Sequence, residues 1–170
     1  MRITIVAVGQ RQPAWADAAV KEYLSRLPAD FKVELKHVKA EPRTGSVPLA
    51  RLLSVEAARV RAAVPSGSWL IALDERGKDW TTQQLADHLQ RWRDSANDIA
   101  FAIGGADGFD PDLKREARML VRLSSMTLPH ALAIRRGLRS KCALRPLRRL
   151  AESGALPVDA RFRALPGQCG

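Results

Sequence analysis

Ile99-Ala100-Phe101-Ala102-Ile103-Gly104-Gly105-Ala106-Asp107-Gly108 decides the reading of this chain. The first five residues form a continuous apolar run, as a strand buried on both faces requires. The glycines that follow end the strand and let backbone approach a ligand where a Cβ would clash. A second segment, Leu123-Ser124-Ser125-Met126-Thr127-Leu128-Pro129-His130, lies shortly after it. Together the two predict glycine- and hydroxyl-rich loops at strand ends. A pocket between them would be lined mainly by backbone groups and would suit a nucleoside-like cofactor.

Outward from this stretch, strand and helix patterns alternate. Arg2 to Gly9 is a β-branched run ending in glycine, and Pro13 to Leu27 carries apolar residues at helical spacing, stopped by Pro28. Phe31 to Val38 alternates apolar and polar, Ala40 to Pro48 is a long polar loop, and Leu49 to Val64 reads as a helix. Trp69 to Asp74 has the continuity of a central parallel strand, with Glu75 to Trp80 expected as loop. Thr81 or Thr82 is placed to cap a helix whose inner face carries Leu85, Leu89 and Trp92. Asp110-Pro111 opens a short helix, and Met119 to Ser125 supplies the last strand. The fold class expected is α/β, a Rossmann-like layered domain with a mostly parallel sheet.

A chain of 170 residues is long enough for one domain with a real core. No apolar run approaches the ~20 residues needed to cross a bilayer. The N-terminus reads as a buried first strand, since Gln10-Arg11-Gln12-Pro13 offers no signal-peptide cleavage site, and a cytoplasmic location is expected. Cys142 and Cys169 show no metal-ligand spacing, and His37, His88 and His130 form no local cluster, so no metal is expected. The net charge of +10 suggests a polyanionic partner, but it is uneven. Residues 134–170 hold nine basic residues against Glu152 and Asp159, and so carry seven of the ten net positive charges.

Five segments resemble one family in order and at the expected separations. They are Ile5-Val6-Ala7-Val8-Gly9 with Pro13-Ala14-Trp15; Glu22-Tyr23-Leu24-Ser25-Arg26; Leu73-Asp74-Glu75-Arg76-Gly77-Lys78 with Trp80; Ile103 to Gly108; and Leu123 to His130. Over residues 1–133 the chain resembles the RlmH family, small SPOUT-superfamily methyltransferases of the bacterial large ribosomal subunit. The resemblance implies a C-terminal trefoil knot and a homodimer. It implies S-adenosyl-L-methionine as methyl donor and N3 of a pseudouridine in 23S rRNA as acceptor. It implies cofactor contacts at Leu73, Gly104, Leu123, Ser124, Ser125, Met126, Thr127 and Leu128.

This chemistry suits the residues. Leu73 and Leu128 are placed to sandwich the apolar faces of adenine, and backbone groups of 123–128 to read its polar edge. Deprotonation at N3 calls for a base, which the sequence does not identify; Asp74 and Glu75 are candidates by position alone. Arg11, Arg26, Arg43 and Lys78 are the expected phosphate contacts. Asp107 is read either as a turn residue or a ligand contact, and His130 as a turn or helix-start residue. Trp15 and Trp92 are read as packing or dimer contacts, and His37 and His88 as incidental.

The family's usual ending is a helix with an Ala-Glu-Gln-Leu-Tyr-Arg-like stretch and then a His-Pro-Tyr-His-Arg-like tail. Here residues 134–170 are an atypical basic tail that begins Ile134-Arg135-Arg136-Gly137-Leu138-Arg139 and contains no tyrosine. An off-frame reading of GC-rich DNA gives such a composition, so a frameshift near residue 133 or 134 is expected. Gly137 and Pro146 would weaken a helix there. Two other readings stand beside methyl transfer. One is a non-catalytic RNA- or nucleoside-binding protein with an altered C-terminal helix. The other, a generic nucleotide-binding domain, lacks a G-x-G-x-x-G loop after its first strand and a Walker loop.

Overall fold

Apolar, β-branched runs build the centre of the sheet and amphipathic stretches cover it. The computed structural model describes residues 1–9, 14–27, 31–43 and 45–123. In chain order the elements are β1 (Arg2–Val8), α1 (Ala14–Leu24), β2 (Lys32–Val38), α2 (Leu49–Ala63), β3 (Trp69–Asp79), α3 (Thr82–Asp94), β4 (Ile99–Ile103), α4 (Pro111–Glu116) and β5 (Met119–Arg122). The five strands form one sheet in the order β2-β1-β4-β3-β5. All four pairings are parallel.

Side-chain alternation sends successive strand residues to opposite faces. One face carries Ile3, Ile71, Ile99 and Val121 against Leu89 and Trp92 of α3, with Ala7 and Ile103 against Val20 of α1. The other carries Val6, Val8, Ala72 and Ala102 against Ala57 and Val60 of α2 and Leu113 of α4. Helices therefore cover both faces, as a parallel sheet requires.

The termini follow local chemistry. Of the two candidate threonines, Thr81 caps α3: its hydroxyl accepts from the Gln84 amide, and the Gln84 side chain accepts from the Thr81 amide in return. Asp110 caps α4 ahead of Pro111.

One expectation is corrected. Residues 75–79 were expected in a loop, but β3 continues to Asp79. The register shifts between Leu73 and Lys78, both of which lie opposite Val121, so Asp74 to Gly77 arch out as an irregularity before pairing resumes at Lys78 and Asp79. A charged sequence with a glycine looks like a loop, yet Lys78 and Asp79 pair with β5 and Gly77 lies directly on it. A Cβ there would stand 2.5 Å from the Val121 nitrogen. The expected knot and residues 124–170 lie outside the described residues.

Candidate active site

Ligands in open α/β sheets bind beyond the carboxyl ends of strands, where successive connections leave for opposite faces. That condition is met at β4. The chain leaves β1 and β3 toward helices of the α1/α3 face and leaves β4 toward α4 on the other. The segment at this point is Gly104 to Gly108, the stretch singled out from the sequence.

The register brings three of the expected cofactor residues together. Leu73 pairs with Ile103, the residue before Gly104, and with Val121, two residues before Leu123. Adjacent strands are ~4.8 Å apart, so Leu73, Gly104 and Leu123 share one sheet edge. Leu73 is half-buried and packs beside Ala7, Val20 and Ile103. Ser124, Ser125, Met126, Thr127 and Leu128 lie outside the described residues.

The glycine segment is a tight turn. Gly108 donates its amide to the Gly105 carbonyl at 3.1 Å. Gly108 has φ +79°, a conformation that favours glycine. A Cβ on Gly104 would stand 3.0 Å from the Gly108 carbonyl carbon and oxygen, so any side chain there would press against the turn's backbone.

Charged groups surround these tips. Asp74, at the end of the Leu73 strand segment, is buried. Lys114 of α4 lies 2.6 Å from its Oδ2, and the Arg76 amide donates to Oδ1 at 2.9 Å. Burial alone would raise the Asp74 carboxyl, but the Lys114 and Arg76 hydrogen bonds outweigh it and hold the group below the usual carboxylate range. Asp74 is thus a paired anion, poorly matched to take a proton near neutral pH. Glu75 is exposed beside Arg76.

At the other tip, Asp79 and Arg122 form a two-point ion pair across β3 and β5, immediately before Leu123. The Arg122 hydrogen bond holds the Asp79 carboxyl low.

The expected phosphate contacts separate. Arg43 is occupied by Glu56, Asp107 and the Glu41 carbonyl. Arg26 pairs with Glu22 and lies over the Tyr23 ring. Lys78 is exposed and makes no ion pair among the described residues. Arg11 lies outside them. Asp107, read as turn or ligand residue, is an ion-pair partner of Arg43.

Trp92 is a core residue at 4% exposure, whereas Trp15 is half exposed. His88, read as incidental, stacks on Trp80 with ring centroids 4.2 Å apart. Among the described residues no group of His, Cys, Asp and Glu is arranged to hold a metal ion.

Sequence reasoning passed over Glu56, Lys114 and the Asp79–Arg122 pair. For Glu56 a signal existed: it stands four residues from both Leu52 and Val60, on the buried stripe of α2. Nothing local marks Lys114 or Arg122.

Residues 1–135 match the family described as Predicted SPOUT methyltransferase. Among curated proteins, the chain is 52% identical over 132 residues to Ribosomal RNA large subunit methyltransferase H of Ralstonia pickettii (strain 12J), covering 78% of this chain and 85% of that one. It is 50% identical to the protein of the same name from Ralstonia nicotianae and 48% identical to that from Paraburkholderia xenovorans, with the same coverage. With its glycine turn at the switch point of a parallel sheet and more than half its length matched, the chain belongs to the SPOUT methyltransferase family.

Proposed function

We propose that this chain transfers a methyl group from S-adenosyl-L-methionine to N3 of a pseudouridine in 23S rRNA of the large ribosomal subunit. The carrying observation is the convergence of Leu73, Gly104 and Leu123 on one sheet edge at the switch point. The names of relatives about half identical to it support the rRNA substrate.

The described residues fit such a donor. Leu73 offers an apolar surface for adenine, and Gly104 brings backbone to the same sheet edge. Leu123 opens the run to Leu128, whose backbone groups are proposed to read the adenine edge. When bound, the donor supplies a methyl group on a cationic sulfur. The protein's part is to hold the acceptor nitrogen in line at ~3–3.5 Å and exclude water. The N3 proton must leave to a base, and the pairing of Asp74 with Lys114 argues against that residue. Lys78, exposed beside the site, is a proposed phosphate contact. A homodimer is part of the proposal, checked by sedimentation.

The test is transfer of labelled methyl from the donor to purified large subunits. Label at a 23S pseudouridine supports the reading, and failure of the folded protein to bind the donor overturns it. One observation favours a second reading, a binder without catalysis: the family match ends at residue 135, so most of the basic stretch 134–170 falls outside it. Donor binding without transfer would support that reading. We also propose that the stretch arises from a frameshift near residue 133 or 134. Sequencing the locus tests this, and absence of a Tyr- and His-containing ending in every alternate frame refutes it.

A further inference from the structure

Glu56 is one of two buried acids among the described residues, at 3% exposure. Its carboxylate accepts from the Glu41 amide at 2.8 Å and from Arg43 through both oxygens. Arg43 also donates to the Glu41 carbonyl at 2.6 Å and, through Nε, to Asp107 Oδ2 at 2.9 Å. Its Nη2 lies 2.9 Å from the same Asp107 oxygen. The planar guanidinium thus spans an acid fixed in α2 and an acid on the glycine turn, a geometry that lysine cannot reproduce. The turn also rests on this pair. A Cβ on Gly105 would lie 3.3 Å from Glu56 Oε2 and 3.6 Å from Arg43 Nη2. The turn's own backbone closure is the single Gly105–Gly108 bridge.

We propose that Glu56 and Arg43 are positioning residues of the methyl-donor site. They hold the Gly104–Gly108 turn through Asp107 and so fix the backbone edge that the donor meets. The proposal rests on the reading of Gly104 as a donor contact. It assigns the polar loop between β2 and α2 a role in donor binding and removes Arg43 from the phosphate contacts.

The test combines amide hydrogen exchange at Gly108 with calorimetry of S-adenosyl-L-methionine. Asp107→Ala breaks only the exposed arm and leaves Glu56 paired, so the core stays intact. It is expected to speed Gly108 exchange about tenfold and weaken donor binding by a similar factor, the scale of one hydrogen bond to a charged group. Arg43→Lys is expected to act in the same direction, and Asp107→Glu, which keeps the acceptor, to restore both readouts. Arg61→Ala breaks an equivalent two-point pair between α2 and Glu116 and is expected to leave both unchanged. Unchanged Gly108 exchange in Asp107→Ala overturns the clamp, whatever the donor does. Faster exchange with unchanged donor affinity overturns its role in the site. Failure of the unsubstituted chain to bind the donor overturns the site reading itself, and with it the donor half of the proposal.

Discussion

At the scale of single residues, the sharpest constraints are contacts without side chains. Gly77 faces the backbone of β5, and Gly104 faces that of Gly108 across its own turn. Gly77→Ala puts a methyl group into the β5 backbone, and the strands must separate to admit it. We expect a loss of about 1–3 kcal/mol of stability, read from the midpoint of urea unfolding. Gly104→Ala strains the turn over Gly108 instead. Its expected signature is weaker donor binding with the unfolding midpoint little changed, measured by calorimetry beside the urea curve. Lys114→Met leaves Asp74 buried without its cation. The expected cost is about 1–3 kcal/mol at neutral pH. Because pairing depresses the Asp74 carboxyl, this contribution is present above its ordinary value of 3.8 and lost as pH falls through the folded-state value. The difference between wild type and Lys114→Met should therefore shrink in acid, and a difference that persists unchanged would refute the assignment.

At the scale of elements, termini were readable because caps act over three or four residues. Asp110-Pro111 and the threonines before α3 announced helix starts, and the structure chose Thr81 through its exchange with Gln84. Thr81→Ala is expected to cost about 1 kcal/mol, checked by thermal or urea unfolding. The end of β3 was not readable. Residues Glu75 to Asp79 continue the strand only because β5 pairs with Lys78 and Asp79 after a register shift, and β5 lies some forty residues further along. Likewise, α2 shows its apolar stripe in sequence, but Glu56 sits on that stripe for a reason supplied by Arg43 from the preceding loop. Local pattern carries the period of an element and not its distant partner.

At the scale of the whole molecule, His88 links stability to pH. It stacks on Trp80 and lies 5.3 Å from Trp92, which in turn meets Phe101 of β4. Burial first, and then the nearby Arg91 charge, lower its proton affinity below the ordinary value of 6.5, with Asp87 opposing weakly. The folded state then binds the proton less well than the unfolded chain. Stability is full above 6.5 and falls as pH drops through 6.5 toward the folded-state value. Melting temperatures from pH 7.5 to 5 should fall for the wild type and fall less for His88→Phe, which keeps a stacked ring. Equal slopes would refute the linkage. Sequence alone gave no sign of this, because the stack forms only when Trp80, from the segment before α3, folds back onto His88 and Trp92 of that helix.

Sequence by itself determined the order of strands and helices, where α3 and α4 begin and the two segments proposed to meet the donor. Apolar period, β-branching and glycine placement act within a few residues, and the match to relatives rests on the same local patterns. Tertiary structure alone decided the strand order β2-β1-β4-β3-β5, the switch point at β4 and the company of each charge. Asp74 became a paired anion, and Arg43 an ion-pair partner of Glu56 and Asp107. Charge pairing and register depend on distance through space, and only the folded sheet brings Leu73 beside Ile103, Lys114 to Asp74 and Asp107 to Arg43.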